Sequence, residues 1–206
     1  DRHFAATGNE GVEEIHFGDG TVWNRAYLVA NAETRGTAGA DAIYGTNDNE
    51  RIRGGLGDDW MNGKNGSDDY RFTAGDGNDV VDEFGLSTDV DRIVFDGSVA
   101  PADIQILKSS SDYNDLFLVN NVTGDTITID QHFLGTTNGI EQVVFSDGTT
   151  WDRAYIVANA LMLGTYGAEL LRGNADNERI RGLGGDDTLL GKGGSDDYLF
   201  GAYDGN

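Results

Sequence analysis

The stretch "GGLGDDWMNGKNGSDDYRF", from Gly54 to Phe72, contains five glycines and four aspartates, and its bulky residues are evenly spaced. The glycines argue against a helix, because each interior glycine costs about 1 kcal/mol relative to alanine. Written in lines of nine, the stretch gives "GGLGDDWMN" and "GKNGSDDYR". Each line has glycine at positions one and four, an acid at position six and a large apolar residue at position eight. This pattern predicts glycine-rich turns that alternate with short strands.

The nine-residue pattern extends over two glycine-rich blocks, residues 36–82 and 164–206. The first block also contains the lines "GTAGADAIY" and "GTNDNERIR", and the second reads "GTYGAELLR", "GNADNERIR", "GLGGDDTLL" and "GKGGSDDYL". After a two-residue insertion, Phe72 and Thr73, the line "AGDGNDVVD" restores the phase with Asp79 at position six.

The two blocks belong to a longer internal repeat with an offset of 128 residues. Between residues 11–78 and 139–206, 41 of the 68 aligned positions are identical. Such similarity indicates a unit repeated in tandem. Because the sequence starts at Asp1 and stops within a motif, we expect it to be an excised piece of a longer array.

The nine-residue lines predict a coil in which two lines make one full turn. Six turn residues and three extended residues form half a coil, so that position eight points inward from every strand. The predicted interior residues are Ile43, Ile52, Met61, Tyr70, Leu171, Ile180, Leu189 and Tyr198. Turns 18 residues apart then stack, and the position-six acids pair as Asp41 with Asp59, Glu50 with Asp68, Asp59 with Asp79, Glu169 with Asp187 and Glu178 with Asp196.

The stacked acids predict a calcium site in each pair of turns. Carboxylates at this spacing repel each other unless a cation lies between them, and the available ligands are all oxygen atoms. Adaptable oxygen ligands favour Ca²⁺ over Mg²⁺, which requires octahedral geometry, and without cysteines or a histidine cluster there is no zinc site. We expect about four to six calcium ions, bound by Asp41, Glu50, Asp59, Asp68, Asp79, Glu169, Glu178, Asp187 and Asp196.

The thin interior makes the ion necessary for folding. One large apolar side chain in nine residues contributes about 1.5–3 kcal/mol, whereas ordering the backbone costs about 1–2 kcal/mol for each residue. The glycine-rich blocks are therefore predicted to be largely disordered without calcium and to fold as it binds.

The segment between the blocks has a different texture. Alternating β-branched residues predict strands at 91–95, 103–107, 116–119, 126–129 and 140–145, and "SDGTTW" predicts an Asp-Gly hairpin. The following "DRAYIVANA" predicts a short helix with Asp152 as N-cap, and "NRAYLVANA" predicts its counterpart with Asn24 as N-cap. A continuing strand is the alternative at both places.

With these residues in hand, the glycine-rich blocks resemble the RTX, or hemolysin-type calcium-binding, repeats of secreted bacterial proteins. The resemblance covers about 90 of the 206 residues. The segment from "DRIVF" to "DGTTW" resembles the hemolysin-type calcium-binding-protein-related module found between such arrays. The resemblance implies parallel β-rolls, export by a type I secretion apparatus, and folding in calcium outside the cell. It also implies ligand roles for Asp41, Asp59, Asp68, Asp79, Asp187 and Asp196.

The predicted fold class is therefore all-β, with parallel β-roll blocks alternating with a mainly antiparallel β module. We expect four segments: the end of a β module with a short helix (1–35), a first β-roll block (36–82), a β module with a short helix (83–163) and a second block (164–206). The second block stops at Asn206, one residue before the counterpart of Asp79, so its last site is expected to be incomplete.

Several residues depart from the repeat pattern. Glutamate replaces aspartate at Glu50, Glu169 and Glu178, which adds a methylene group to accommodate. Asp48 and Asp176 replace the position-four glycine, where an aspartate either adds a ligand or disturbs the turn. In "GLGG", residues 182–185, one glycine is shifted.

Composition excludes several classes of function. The formal charge of −22 disfavours binding to nucleic acid or to anionic membranes. No apolar run is long enough to span a membrane, and no cysteine is present. Neither a Ser/His/Asp set, nor a phosphate loop, nor an "HExxH" motif occurs, so we predict that the chain is not an enzyme. The acids Asp89, Asp91, Asp112 and Asp115 are interpreted as acidic turns rather than extra calcium ligands.

The favoured function is a calcium-dependent structural and folding module of an exported bacterial protein, located outside the cell or on its surface. One alternative is an adhesive or glycan-binding repeat that presents its extracellular ligand site on the β module. Aromatic residues clustered on one exposed face would favour that alternative, although Trp23, Trp60, Trp151, Tyr27 and Tyr155 are interpreted as core or cap residues. A further alternative is the non-catalytic part of an exported enzyme.

Overall fold

A computed structural model describes residues 12–86, 88–202 and 204 of the chain. The expectations for residues 1–11 and for the end of the chain at Asn206 lie outside these residues. The regular structure is nearly all β. The strands are β1 (Glu14–His16), β2 (Val22–Asn24), β3 (Thr34–Arg35), β4 (Ala42–Tyr44), β5 (Arg51–Arg53), β6 (Trp60–Asn62), β7 (Asp69–Phe72), β8 (Asn78–Val81), β9 (Arg92–Phe95), β10 (Ile104–Lys108), β11 (Leu116–Asn120), β12 (Thr126–Ile129), β13 (Gln142–Val144), β14 (Thr150–Asp152), β15 (Leu161–Leu163), β16 (Leu170–Arg172), β17 (Arg179–Arg181), β18 (Thr188–Leu190) and β19 (Asp197–Tyr198). The helices are α1 (Arg25–Asn31) and α2 (Arg153–Asn159), with a 3-10 turn at Pro101–Asp103.

The first glycine-rich block is a parallel β-roll. Its strands alternate between two sheets, β3, β5 and β7 in one, and β4, β6 and β8 in the other. Ile43 pairs with Met61 and Ile52 pairs with Tyr70, a register of 18 residues. This register confirms that two nine-residue lines close one coil. The inserted residues after β7 lengthen the next coil, so Met61 pairs with Val81.

The β module continues the sheets of the roll. Strand β12 pairs in parallel with β8, and β13 pairs in parallel with β9. Within the module β10, β11 and β12 are antiparallel, as are β13 and β14. Strand β10 then pairs in parallel with β15, the first strand of the second block. Two sheets therefore run from the first roll into the module, and one of them reaches the second roll.

The core is continuous from the first roll into the module. Ile52, Met61 and Tyr70 are fully buried, as the position-eight rule predicts. In the module, the ring of Phe95 lies 6.3 Å from that of Phe72 and 5.3 Å from that of Phe145. The second roll is thinner, with Leu171 and Ile180 buried, Leu189 partly buried and Tyr198 exposed. Within the described part of the chain, no helix is long and apolar enough to cross a membrane.

Both predicted helices are present, so the alternative of a continuing strand is wrong. The Asp152 carboxylate accepts a hydrogen bond from the backbone N–H of Tyr155 at 2.7 Å. Asn24 caps the first helix in the same way through Tyr27 at 2.9 Å. Strand β13 is shorter than predicted, because the N–H of Phe145 already bonds to the hairpin carbonyl of Thr149.

Two glycines at position four allow the coil geometry to be tested. Gly57 has a φ of +110°, and a Cβ there would lie 2.8 Å from the carbonyl carbon of Gly39 on the preceding coil. Gly39 faces open space and lacks the left-handed angle. We expect Gly57→Ala to lower the free energy of unfolding by at least about 1–2 kcal/mol, whereas Gly39→Ala should be neutral or stabilising by about 0.4–1 kcal/mol. Urea unfolding in calcium measures both, and equal effects would contradict this stacking.

Candidate metal centre

The position-six acids form hydrogen-bonded ladders along the rolls. One carboxylate oxygen of each acid accepts a hydrogen bond from the backbone N–H of the acid one coil earlier. Asp59 accepts from Asp41 at 2.8 Å, Asp68 accepts from Glu50 at 2.8 Å, and Asp79 accepts from Asp59 at 2.9 Å. In the second roll Asp187 accepts from Glu169 at 2.9 Å, and Asp196 accepts from Glu178 at 3.1 Å. The structure therefore brings together the members of all five predicted pairs.

The other carboxylate oxygen lacks a partner in several rungs. It is buried and makes no hydrogen bond in Asp59, Asp68, Glu178 and Asp187. A buried polar atom left unsatisfied costs about 1–3 kcal/mol, and more when it is charged. A cation would remove this cost, and a set of carboxylate oxygens suits a hard ion such as Ca²⁺. The residues present therefore fit calcium.

The acids that begin each ladder are satisfied differently. Asp41 accepts hydrogen bonds from the Thr37 N–H at 2.6 Å and from the Thr37 hydroxyl at 2.8 Å. The hydroxyls of Thr46 and Thr165 donate to Glu50 and Glu169 in the same arrangement. The backbone bond from Thr37 lowers the pKa of Asp41, and the hydroxyl of Thr165 lowers that of Glu169. The nine predicted ligands are thus of two kinds, four with an unpaired oxygen and others already bonded within their own turn.

Burial raises the pKa of the inner acids. The pKa of Asp68 and that of Asp79 are each raised to about 7, chiefly by desolvation and secondarily by neighbouring carboxylates. Desolvation also raises the pKa of Asp59. A bound cation favours the charged carboxylates, so calcium and protons compete for these oxygens.

Turn carbonyls supply further oxygen atoms beside the acids. The carbonyl oxygen of Thr37 faces Gly55 on the next coil, and that of Asp48 faces Gly66. Gly55 and Gly66 have φ angles of +111° and +117°, so side chains are disfavoured where the coils approach. Asp48 at position four does not adopt this left-handed angle, and it keeps the turn stacked on the next coil.

The shifted glycine of the second roll is accommodated by strain at a leucine. Leu183 has a φ of +70° at position two, and Lys64 and Lys192 have angles of +75° and +72° at the same position. Gly185 at position four keeps a φ of +111°. The turn geometry is therefore retained in "GLGG", and the departure affects the ease of folding rather than the position of Asp187.

The ladder continues into the β module, which sequence reasoning missed. Asp91 accepts from the N–H of Asp68 at 2.9 Å, and Glu141 accepts from the N–H of Asp91 at 2.9 Å. The nine-residue count fails here because the turn before β9 is longer than the turn before β7. The available signal was local, since Asp91 precedes the buried Ile93 by two residues, as Asp68 precedes Tyr70. Asp91 is a buried rung and not the acidic turn residue that the sequence indicated.

The other acids interpreted as turns do bond within turns. Asp89 accepts from the N–H of Leu86 at 2.9 Å, and Asp112 accepts from that of Asn114 at 3.1 Å. Asp115 accepts from the N–H of Gln131 at 2.9 Å, which ties two loops of the module together.

A lysine of the module enters the ladder of the second roll. Lys108 Nζ lies 3.0 Å from Glu178 Oε1, and both side chains are buried. Asp176 lies 3.7 Å from the same ammonium group, and the ring of Phe133 lies beneath it at 5.0 Å. No spacing in the sequence indicates this pair, because its members are 70 residues apart.

Family models for two components match the chain. Residues 35–70 and 163–201 match the RTX calcium-binding nonapeptide repeat (4 copies). The chain carries RTX calcium-binding repeats. Residues 115–155, in the module between the RTX blocks, match the haemolysin-type calcium binding protein related domain. Both resemblances drawn from the sequence are confirmed.

Comparison with whole proteins adds a more distant likeness. No curated protein matches the chain. Among solved structures, the extracellular lipase LipA from Serratia marcescens is similar, with 19% sequence identity and a TM-score of 0.48. The match covers 85% of this chain and 31% of the lipase chain, so the chain spans about a third of that protein.

The buried Lys108–Glu178 pair predicts a large effect on stability. Lys108→Met leaves Glu178 buried without its cation, and removing one partner of such a pair costs about 3–5 kcal/mol. Urea unfolding in calcium should show this loss, and the double variant Lys108→Met/Glu178→Gln should regain much of it. If the double variant were as unstable as the single one, the stabilisation would not come from the ion pair.

The raised pKa values predict that acid partly replaces calcium. Because the folded state of the RTX blocks binds extra protons between about pH 4 and 7, the free energy of unfolding without metal falls as pH rises. The metal-free chain should therefore gain β signal in far-UV circular dichroism when pH is lowered from about 8 to 5.5.

The variant Asp79→Asn tests the origin of this pH dependence. It keeps an acceptor for the N–H of Asp59 and removes one group whose pKa is raised. It should increase the β signal at the higher pH and weaken the pH dependence. The exposed Glu13→Gln removes the same charge and should change neither. An equal effect of the two variants would assign the pH dependence to overall charge.

Proposed function

We propose that this chain is a calcium-dependently folding structural repeat of a secreted bacterial RTX protein. One observation carries the proposal: a carboxylate oxygen bonds the next rung in each ladder, while in Asp59, Asp68, Glu178 and Asp187 the second oxygen is buried and unpaired. The proposed calcium ligands are the nine position-six acids. The paired turns suit about four to six ions.

The RTX blocks and the module act as one structural unit in this proposal. We retain four segments, 1–35, 36–82, 83–163 and 164–206, as its organisation. In low calcium, the carboxylates of the blocks repel each other and the chain stays unfolded, a state suited to passage through a type I secretion apparatus. In calcium-rich surroundings outside the cell, the same carboxylates bind the ion and the coils close.

We further propose that this chain has no catalytic activity of its own. Its buried histidine, His132, has its pKa lowered to about 3 by burial and by the nearby Arg153, which favours a neutral ring. Arg153 donates to the carbonyl oxygens of Asn138 at 2.9 Å and Ile140 at 3.1 Å, and it also bonds the carbonyl of His132. These contacts support a role in fixing the loop before β13.

An adhesive or glycan-binding role is the second candidate, and one aromatic pair favours it. The ring of Tyr44 lies 4.9 Å from that of Trp60 on neighbouring strands, and Tyr44 is 64% exposed. Trp151, by contrast, is buried beneath Tyr155 and belongs to the core. A glycan-array signal that Tyr44→Ser abolishes and Tyr155→Ser retains would support this role.

Calcium titration of the chain tests the proposed function. Circular dichroism should show a β signal that depends on calcium, and calorimetry should give the number of ions. Asp59→Asn should lower that number, because it removes a carboxylate with an unpaired oxygen. The adjacent, exposed Asp58→Asn is the matched control and should leave the number unchanged. An undiminished β signal in excess EDTA would overturn calcium-dependent folding.

A further inference from the structure

Three buried acids meet where the first RTX block joins the module. Asp68, Glu83 and Asp91 each offer a carboxylate oxygen, and these oxygens all lie within 4.8 Å of one another. The three residues are 0%, 1% and 3% exposed. Only Asp68 belongs to a nine-residue repeat line that predicts a calcium ligand. Glu83 and Asp91 come from the long turn between β8 and β9.

The backbone brings the three acids together through two parallel pairings. Strand β7 pairs with β9, which places Asp68 beside Asp91 at the entrance to both strands. Strand β6 pairs with β8, and two residues beyond β8 the chain places Glu83 next to Gly63. Glu83 thus stands at the position that glycine occupies in the RTX turn one coil earlier.

Two of the carboxylate oxygens at this place have no partner. Asp91 uses one oxygen for the N–H of Asp68 at 2.9 Å. Glu83 uses Oε2 for the Tyr70 hydroxyl and for the N–H of Gly63 at 3.3 Å. Asp68 Oδ2 and Glu83 Oε1 are buried and make no hydrogen bond. These two atoms belong to side chains that are almost wholly buried and share the same small volume.

Nothing in the described residues balances the charge of the cluster. None of the ion pairs formed there involves Asp68, Glu83 or Asp91. The second roll shows what a balanced site looks like, because Lys108 lies 3.0 Å from Glu178. Buried carboxylates require a cation or protons, since uncompensated burial of several charges is too costly.

We propose that Asp68, Glu83 and Asp91 bind a divalent cation, calcium, at the junction of the first RTX block and the module. The ligand atoms include Asp68 Oδ2 and Glu83 Oε1, the two buried oxygens without a hydrogen bond. A set made only of oxygen donors from irregular backbone suits Ca²⁺ better than Mg²⁺. This ion would fasten β7, the turn after β8 and the start of β9 to one another. The choice of calcium rests on the proposed function, whereas the site itself rests on the three acids.

The variant Glu83→Gln tests the site with little change of shape. The amide oxygen of glutamine still accepts from Tyr70 and Gly63, but the negative charge is lost. Calcium calorimetry on the whole chain should count one ion fewer than in the wild type. Asp91→Asn should lose one ion as well, and the double variant should lose no more than either single variant. Glu13→Gln, which removes an exposed carboxylate, should bind the wild-type number.

A measurement without metal separates a cation site from a merely structural carboxylate. In chelator, Glu83→Gln should have at least as much β signal as the wild type, because a buried charge has been removed. In calcium, its gain in thermal stability should be smaller than that of the wild type. Loss of structure in both conditions would overturn the metal site, since Glu83 would then act only through its hydrogen bonds.

The possible ion counts distinguish two failures. If the wild type binds calcium and Glu83→Gln binds the same number of ions, the junction site is wrong and the proposed function stands. If the wild type binds no calcium at all, both are wrong. A magnesium titration that fills the lost site as tightly as calcium would overturn the assignment of the ion.

Discussion

The hydrogen bond from a backbone N–H to the position-six carboxylate of the next coil holds the whole arrangement together. It fixes the register of successive coils, because each acid can reach only the acid directly beside it. It also occupies one oxygen of every rung, as in the bond from Asp41 to Asp59, and it keeps the carboxylate from rotating into solvent. The second oxygen is then held facing the neighbouring turn, where an unpaired charge is unfavourable. Order in the coils and the need for a cation therefore have the same origin.

Much of the roll follows from the sequence because the repeat directly numbers the positions of the coil. The burial of Ile52 and Met61 and the pairing of Glu50 with Asp68 require only counting by nine and eighteen. The helix caps at Asn24 and Asp152 are equally local, since each side chain bonds an N–H three residues ahead. Short-range rules sufficed wherever the partner lay at a fixed distance along the chain.

The features that sequence reasoning missed depend on contacts across irregular turns. Asp91 and Glu83 enter the ladder after a turn of unusual length, so the count that located Asp68 no longer applied. The pairing of Lys108 with Glu178 depends on β10 lying beside β15, which no local pattern specifies. Burial likewise depends on neighbours, since Ile156 is fully buried in α2 whereas its counterpart Leu28 in α1 is only partly covered.

The parallel pairing that joins β8 to β12 and β9 to β13 has a mechanical consequence. Each coil adds about 4.8 Å along the axis of the stack, and its strands run across that axis. Tension applied from end to end would open the backbone hydrogen bonds of one coil at a time, so the protein backbone alone would yield at low force. Ions between the turns would act as rivets, and the strength of such a filament would then vary with the calcium concentration around it.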